Sequence, residues 1–225
     1  MPYPILIADN SSQDNSYERL NYWKNIIGEN VSLFKNKENI GFAKANNQLI
    51  SLCKSEIIVL LNLDIQFNTD FIDPCAKKAK LMNALVAPQL SDIDQGHYIH
   101  YAPFPDDPFL LIKELFYLYL PYFNIVEVDW LQGACWILPY KIFTEINGFD
   151  ENYFVYTEDM EFCRNLKDKH TPRLLMNTQK VFHPRTRMSK EKQNIIDQNM
   201  IYYFRNRDQS PWNIRNSLRQ FFSTL

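Results

Sequence analysis

The chain has 225 residues, of which 46% are apolar and 22% charged, and its formal net charge is −2. These values are ordinary for a globular protein that buries a core in one domain. The charge argues against a general nucleic-acid binder, which is normally basic over a face or a domain. From Val181 onward, however, eight Lys and Arg residues stand against three acidic ones. Such a region suits an anionic partner, a diphosphate or an acidic lipid surface, and is equally typical of a solvated helix face.

The four cysteines are widely spaced, stand in apolar contexts and form no C-x-x-C pair. This pattern predicts buried free thiols in a reducing compartment rather than disulfides or a zinc site. The N-terminus has no basic start and no apolar run of signal-peptide length, and no apolar run approaches the length of a bilayer span. We therefore expect a cytoplasmic protein.

Strands and helices alternate along the first part of the chain. The pattern predicts strands at 4–8, 31–34, 56–62 and 84–88, and helices at about 15–27, 42–52 and 69–82. This alternation predicts a layered α/β sheet with right-handed crossovers, and the most continuous apolar strand, 56–62, is expected to be buried on both faces. Ligands collect at the carboxyl ends of such strands, which places Asp9, Asn62 and Asp64 on the ligand side.

The middle of the chain is less regular. His97–Tyr101 is typical of an edge strand, and Phe109–Phe123 is strongly aromatic with only Lys113 and Glu114 charged. An aromatic, amphipathic segment can rest on a membrane surface or face an acceptor. It can also pack against the sheet or against a second copy of the chain, and both interpretations stay open.

From Val126 the regular order returns. The pattern predicts strands at 126–131, 134–138, 173–176 and 180–182, helices at 140–146 and 158–166, and a polar helical remainder over 189–225. Between the first of these helices and the second lies a tight turn at Asn147-Gly148.

Four polar clusters in this framework could carry chemistry, and each has a purely structural alternative. Asn62-Leu63-Asp64 follows a buried strand and suits a hard divalent cation, although Asn and Asp also simply terminate strands. Thr157-Glu158-Asp159 offers a carboxylate that can take a proton, or else a Thr N-cap with two acids in the first helical turn. His183 is a possible metal ligand or a loop residue before proline. Asp9-Asn10-Ser11-Ser12 could bind a nucleobase or ribose, or form an Asx-turn.

Longer motifs surround these clusters. They are Ile7-Ala8-Asp9-Asn10-Ser11, the segment 39–47 (Asn-Ile-Gly-Phe-Ala-Lys-Ala-Asn-Asn), Leu60-Leu61-Asn62-Leu63-Asp64, the segment 133–163 from Gly-Ala-Cys-Trp to Glu-Phe-Cys, His183, and Tyr202-Tyr203-Phe204-Arg205-Asn206. In this order they resemble the motifs of the family 2 glycosyltransferases of the GT-A fold, particularly the bacterial rhamnosyltransferase-like branch. The resemblance covers residues 4–207, with Asn147 in place of a glycine that the family motif carries.

The resemblance implies a role for each matching residue. Donor-nucleotide binding is implied for Asp9, Asn10, Ser11, Gly41, Phe42, Asn46 and Asn62. A Mg²⁺ or Mn²⁺ ion would be held by Asp64 and His183, and the sugar and acceptor pocket would be formed by Trp130, Gly133 and Ala134. Asp159 would be the general base that deprotonates the acceptor hydroxyl, and Glu158 would orient the acceptor.

The resemblance also implies a fold, an activity and a domain layout. The fold is a GT-A, Rossmann-like layered sheet, mostly parallel, in which residues 1–207 form the catalytic domain. Its donor half is about 1–90 and its acceptor half about 126–190, and 208–225 form a basic helical tail. The family carries a further strand and helix ahead of the D-N-x-S turn, so we expect this chain to be N-terminally truncated and to lack one interior strand.

The implied activity is inverting, metal-dependent transfer of a sugar from a UDP- or dTDP-linked donor to a glycan or lipid-linked acceptor, in the synthesis of a bacterial surface polysaccharide. Peripheral contact with the inner face of the membrane and a homodimer are compatible with the same pattern. A non-catalytic nucleotide- or sugar-binding remnant is the alternative, because of the expected missing strand. A nucleotidyltransferase is disfavoured because a glycine-rich phosphate loop is absent from the sequence.

Overall fold

The computed structural model describes residues 3–67, 69–92, 96–97, 100–184 and 188–207. The predicted tail 208–225 lies outside the described residues. So do Arg185 and Arg187 of the basic region, and part of the predicted edge strand at 97–101.

Strands and helices alternate through the first half of the described chain. They are β1 (Ile5–Asp9), α1 (Ser16–Ile27), β2 (Val31–Lys35), α2 (Phe42–Ser51), β3 (Ile57–Leu61), α3 (Ile72–Met82) and β4 (Leu85–Asp92). The second half is a mixture of short strands and longer helices. Its elements are β5 (Gly96–His97), β6 (Tyr101–Ala102), α4 (Leu110–Tyr117), β7 (Ile125–Glu127), β8 (Trp130–Leu131), β9 (Cys135–Pro139), α5 (Tyr140–Glu145), α6 (Glu158–Asp168), β10 (Arg173–Phe182) and α7 (Lys190–Arg205).

A six-stranded sheet organises the fold, and the layered α/β architecture is confirmed. Its strands run in the order β3-β9-β4-β10-β7, with β5 paired to β4. β4 and β10 are parallel, whereas β9 runs antiparallel to both of its neighbours, β3 and β4. β3, β4 and β10 therefore point in one direction, so their carboxyl ends lie along the same edge of the sheet.

β1 and β2 form a separate two-stranded parallel sheet. Within the described residues, β1 pairs only with β2 and β3 pairs only with β9. The side chains of β3 alternate, with Ile58 and Leu60 buried and Val59 and Leu61 more than a third exposed. The expectation that this strand is buried on both faces was therefore wrong, because β3 lies at the end of the sheet. β4 and β9, which lie inside the sheet, are instead buried throughout.

Two further strand predictions needed correction. The predicted strand 126–131 is divided into β7 and β8, because β7 pairs with β10 whereas β8 pairs with β6. The two predicted strands at 173–176 and 180–182 are one strand, β10, whose register against β4 shifts between Met176 and Lys180. In both places the strand ends are set by the partner strand with which the segment pairs. Because that partner is distant in the chain, the local sequence carries no signal for these boundaries.

The core lies on both faces of the sheet, and β9 contributes to each side. Its alternate residues Trp136 and Leu138 pack with the aromatic side chains of α5, α6 and the turn before α6. Trp136 stacks on Phe149 at 5.8 Å between ring centroids, and Phe149 lies 4.9 Å from Phe162. Cys135 and Ile137 instead face α3. This alternation is the period of two expected of an extended strand.

All four cysteines are free, as predicted. Cys75, Cys135 and Cys163 are buried, and Cys53 is half-buried. None of the helices in the described part of the chain combines the length and the apolarity that crossing a bilayer requires.

Candidate active site

Two backbone hydrogen bonds bring the ends of β3 and β10 together. Gln66 and Phe182 exchange N–H···O bonds of 2.8 and 2.7 Å. This pairing places the imidazole Nε2 of His183 3.5 Å from Oδ1 of Asp64. On the other side, the amide of Asn62 donates to the carbonyl of Ala134 at 2.9 Å. The predicted metal ligands thus lie together at the edge where the sheet is expected to bind ligands.

Gly133 joins this edge to the acid pair. Its amide donates to Oδ2 of Asp159 at 3.0 Å, while the amide of Met160 donates to Oδ1 at 2.8 Å. A Cβ atom at Gly133 would lie only 3.2 Å from Cβ of Asp159, so a glycine permits the first turn of α6 to approach the start of β9 this closely. A chain of contacts therefore runs from Asn62 through Ala134 and Gly133 to Asp159.

The turn before the acid pair is strained. Tyr156 and Thr157 both have left-handed backbone conformations, with φ of 69° and 74°. Side chains other than glycine rarely adopt this region, and two in succession are costly. Thr157 stands at the N-cap position of α6, but its side chain accepts no capping hydrogen bond. The structural alternative in which Thr157 caps the helix was therefore wrong.

Burial dominates the electrostatics of the acid pair. Glu158 is 5% exposed, and its Oε2 atom has no hydrogen-bond partner. Burial, followed by the nearby charge of Asp159, raises the pKa of Glu158 to about 8. Burial also raises the pKa of Asp159, against the opposing effect of the amides of Gly133 and Met160. Two adjacent carboxylates, one buried and one half-buried, do not ionise together easily, so the pair retains a proton near neutral pH.

The predicted donor residues on β1 lie at a second cluster. Asp9 is buried, and its Oδ2 atom has no hydrogen-bond partner, which leaves an acceptor for a ligand. The side chain of Asn10 is fully engaged inside the protein. Its Oδ1 accepts from Asn36 Nδ2 and from the amide of Ile40, both at 3.1 Å, and its Nδ2 donates to Asn39 Oδ1 at 2.8 Å. Ser11 has a left-handed backbone with φ of 65°.

The segment 39–47 connects this donor cluster to the turn that leads into α6. The amide of Phe42 donates to the carbonyl of Phe154 at 2.7 Å. A Cβ atom at Gly41, whose φ is +83°, would lie 2.5 Å from that same carbonyl oxygen, so the contact requires glycine. Asn46 donates to the Phe42 carbonyl at 2.9 Å within α2. Trp130 is half-buried in β8, where it pairs with Ala102.

Sequence reasoning missed His100. It is fully buried, and its Nε2 accepts a hydrogen bond from the amide of Leu90 at 3.1 Å. Burial, together with the nearby His183, lowers its pKa to about 3, so the imidazole is neutral. It is close to the predicted metal ligand only because β4, β5 and β10 come together here, and no local motif marks it.

Asp64 and His183 are the side chains at this edge that were predicted to ligate a divalent cation. Within the described ranges, no three His, Cys, Asp or Glu side chains cluster closely enough to hold a metal unaided. Asp64 is half-exposed and His183 is largely buried, which leaves the carboxylate open to solvent and to a ligand. Magnesium sites often use one or two carboxylates and complete the shell with water and substrate phosphates, so these residues fit such an ion.

The raised pKa of Glu158 predicts a pH-dependent stability. The folded protein holds this proton up to about pH 8, whereas the unfolded chain releases it near the ordinary value of 4.5. Between these limits the free energy of unfolding should fall as pH rises. Above about pH 8 the stability that the protonated Glu158 contributes is lost. Glu158→Gln mimics the protonated acid. In urea unfolding, its free energy of unfolding should equal that of the wild type at about pH 5 and exceed it at about pH 8.5.

The exposed Glu38 offers a matched control, and Glu38→Gln should change stability equally little at both pH values. If Glu158→Gln shows the same offset from the wild type at both pH values, then Glu158 does not hold its proton as described.

Solved structures with a similar fold include several glycosyltransferases. GalNAc-T7, solved with UDP, GalNAc and Mn²⁺, superposes with a TM-score of 0.63 at 15% identity, covering 81% of this chain and 37% of that one. S. aureus TarS 1–349 in complex with UDP-GlcNAc gives a TM-score of 0.58 at 11% identity, covering 84% and 54%. At these identities the likeness establishes the GT-A fold alone.

Among curated relatives, the Haloferax volcanii low-salt glycan biosynthesis hexosyltransferase Agl10 is 24% identical over 165 residues, which are 71% of this chain and 52% of that protein. The Mycobacterium tuberculosis N-acetylglucosaminyl-diphospho-decaprenol L-rhamnosyltransferase is 24% identical over 192 residues, with coverages of 71% and 59%. This chain thus spans between half and three fifths of the length of these relatives. The family described as Glycosyl transferase family 2 matches residues 1–124, more than half of the chain. The chain belongs to glycosyl transferase family 2.

Proposed function

We propose that this chain transfers a sugar from a UDP- or dTDP-linked donor to a glycan or lipid-linked acceptor, with inversion, in the synthesis of a surface polysaccharide. The observation that carries the proposal is the single edge on which a candidate base, Asp159, and candidate phosphate-side ligands, Asp64 and His183, are linked through Asn62, Ala134 and Gly133. An inverting transfer requires a base on one side of the sugar and charge neutralisation at the leaving group on the other.

Asp64 and His183, with Asn62 beside them, would hold a Mg²⁺ or Mn²⁺ ion. When bound, such an ion acts as a Lewis acid that neutralises the negative charge developing on the leaving diphosphate. Support for a divalent ion also comes from GalNAc-T7, whose structure was solved with Mn²⁺ and UDP. Asp9 would accept a hydrogen bond from the base or ribose, since its buried Oδ2 atom lacks a partner within the protein.

Asp159 would take the proton of the acceptor hydroxyl. Two backbone amides orient its carboxylate, and each oxygen keeps a further lone pair for a substrate. The adjacent Glu158, protonated near neutral pH, can donate a hydrogen bond that orients the acceptor. A lipid-linked acceptor is supported by the Mycobacterium tuberculosis relative, which is named for a diphospho-decaprenol substrate.

Asp159→Asn should keep the fold and nucleotide binding but lower the transfer rate by at least about 100-fold, because general-base catalysis contributes about 10²–10⁴. The measurement is product formation with UDP- and dTDP-sugars, alongside calorimetric titration with the free nucleotides. Asp197→Asn changes an exposed carboxylate of α7 and should leave the rate unchanged. An active Asp159→Asn enzyme would remove Asp159 from the role of base.

Nucleotide binding should depend on a divalent metal. We expect calorimetry to detect UDP or dTDP binding in the presence of Mn²⁺ and a large loss of affinity after chelation, since an ion held by Asp64 and His183 would neutralise the charge of the diphosphate. Asp64→Asn should lose the metal-dependent part of the affinity and retain the rest. If neither nucleotide binds with or without Mn²⁺, the chain lacks donor binding and the remnant interpretation stands.

We also propose that the protein works in the cytoplasm and contacts the inner face of the membrane through α4 and the segment after it. Nine large apolar side chains are exposed on this surface, which we call the α4 surface. They are Phe109, Leu111, Ile112, Leu115, Phe116, Leu118, Tyr119, Tyr122 and Phe123. The four free thiols support a reducing compartment.

The polar side of α4 faces the protein. Lys113 forms ion pairs with Asp107 at 2.6 Å and with Asp129 at 2.7 Å. The hydroxyl of Tyr117 accepts a hydrogen bond of 2.7 Å from the amide of Asp129. With Lys113 and Tyr117 engaged inward, the helix presents leucine, isoleucine and aromatic side chains outward, together with the charged Glu114, as amphipathic interfacial helices do. One side of a standard protein interface holds about 20–30 residues, so nine side chains favour a lipid surface over a stable dimer.

Vesicle flotation tests this contact. The wild type should float with vesicles of phosphatidylethanolamine and phosphatidylglycerol, and high salt should have little effect because the α4 surface is apolar. Leu111→Ser with Leu115→Ser should abolish flotation. Leu81→Ser with Met82→Ser, two exposed apolar residues at the end of α3, should retain it. A double variant of the α4 surface that turns a dimer into a monomer without affecting flotation would instead identify this surface as a protein interface.

A further inference from the structure

The strained turn at 155–157 must be held by its surroundings. Left-handed residues other than glycine are energetically costly and persist only where neighbouring contacts impose them. Tyr156 and Thr157 occupy this region in succession, directly before Glu158 and Asp159. The contacts that hold the turn therefore also determine where α6 begins.

Those contacts come from α7. The Nδ2 group of Asn199 donates to the carbonyl of Val155 at 2.9 Å and to the carbonyl of Tyr156 at 2.7 Å. The Tyr156 carbonyl lies in the same peptide plane as the amide of Thr157, so holding it restrains ψ of Tyr156 and φ of Thr157 together. A single side-chain amide thus restrains both left-handed residues.

Further contacts of α7 and the residues just after it lie on either side of this amide. Lys192 Nζ lies 4.9 Å from the centre of the Tyr156 ring. The hydroxyl of Tyr202 donates to Asp150 Oδ2 at 3.1 Å, and Arg207 pairs with Glu161 at 2.7 Å. α7 therefore contacts the chain both before and after the acid pair, and Asn199 is the residue that reaches the strained turn itself.

We propose that Asn199 is a positioning residue for the acid pair: by holding the left-handed turn, it keeps the Asp159 carboxylate on the amide of Gly133. The catalytic meaning of this inference rests on the proposed function. The structural meaning does not, since the turn and its contacts exist whether or not a sugar is transferred.

Misplacing a base by about 1 Å can cost on the order of 100-fold in rate. Asn199→Ala should therefore lower kcat by about 10- to 100-fold and leave the donor KM and the nucleotide affinity unchanged, because Asn199 holds the carbonyls of Val155 and Tyr156, whereas the predicted donor segment is held by the carbonyl of Phe154. Asn199→Asp keeps the size of the side chain but removes both N–H donors, so kcat should fall by as much as in Asn199→Ala. Asn194→Ala, at an exposed position of the same helix, is the matched control and should behave as the wild type.

A rescue variant separates positioning from general destabilisation. Glycine adopts positive φ at no steric cost, so Thr157→Gly should relieve the strain that Asn199 otherwise restrains. In the Asn199→Ala background, Thr157→Gly should recover at least about half of the lost activation free energy, measured as a double-mutant cycle on kcat. No recovery by Thr157→Gly, or a donor KM that rises in step with the fall in kcat, would overturn the proposal.

Hydrogen exchange gives a readout that does not need activity. The amide of Gly133 is bonded to Asp159, so its exchange should accelerate in Asn199→Ala and stay slow in Asn194→Ala. If the wild type transfers no sugar, the proposed function fails while this measurement still decides whether Asn199 positions Asp159. Unchanged protection at Gly133 in Asn199→Ala would overturn the proposal whatever the activity.

Discussion

The arrangement of the site depends on one close approach, between the backbone of Gly133 and the carboxylate of Asp159. A glycine lets the first turn of α6 lie this close to the start of β9, because a Cβ atom there would lie 3.2 Å from Cβ of Asp159 and force a small shift. The resulting N–H···O bond joins the acidic helix start to the main sheet. It adds a polar connection to the core packing of Phe162 on Trp136, which also holds α6 on β9.

Burial gives this contact its chemical character. Loss of contact with water raises the pKa of both Glu158 and Asp159, and the neighbouring charge of Asp159 raises the pKa of Glu158 further. Two backbone amides donate hydrogen bonds to the carboxylate of Asp159 and stabilise its negative charge, whereas Oε2 of Glu158 has no hydrogen-bond partner. The asymmetry favours charge on Asp159 and a proton on Glu158, the protonation states that suit a base and a neighbouring hydrogen-bond donor.

The mixed sheet brings distant segments of the chain to the same edge. β9 runs antiparallel between β3 and β4, so it begins where they end. The start of β9 carries Gly133 and Ala134, and the end of β3 carries Asn62 and Asp64. The β1–β2 sheet, by contrast, is connected to the turn before α6 by local contacts such as that of Gly41 with Phe154, and Asp9 at its end lies in a second cluster.

The sequence by itself determined the alternation of strands and helices, the layered α/β class, the free thiols and the motifs whose order indicated family 2, because periodicity and motif spacing are local properties. It predicted a metal-ligand role for Asp64 and a general-base role for Asp159. Only the tertiary structure decided that β3 is an edge strand, that β7 and β8 are separate, that His100 is buried near His183 and that Asn199 reaches the strained turn. These features depend on pairing between residues far apart in the chain, where burial and strain are imposed by the neighbouring element and leave no mark on the local sequence.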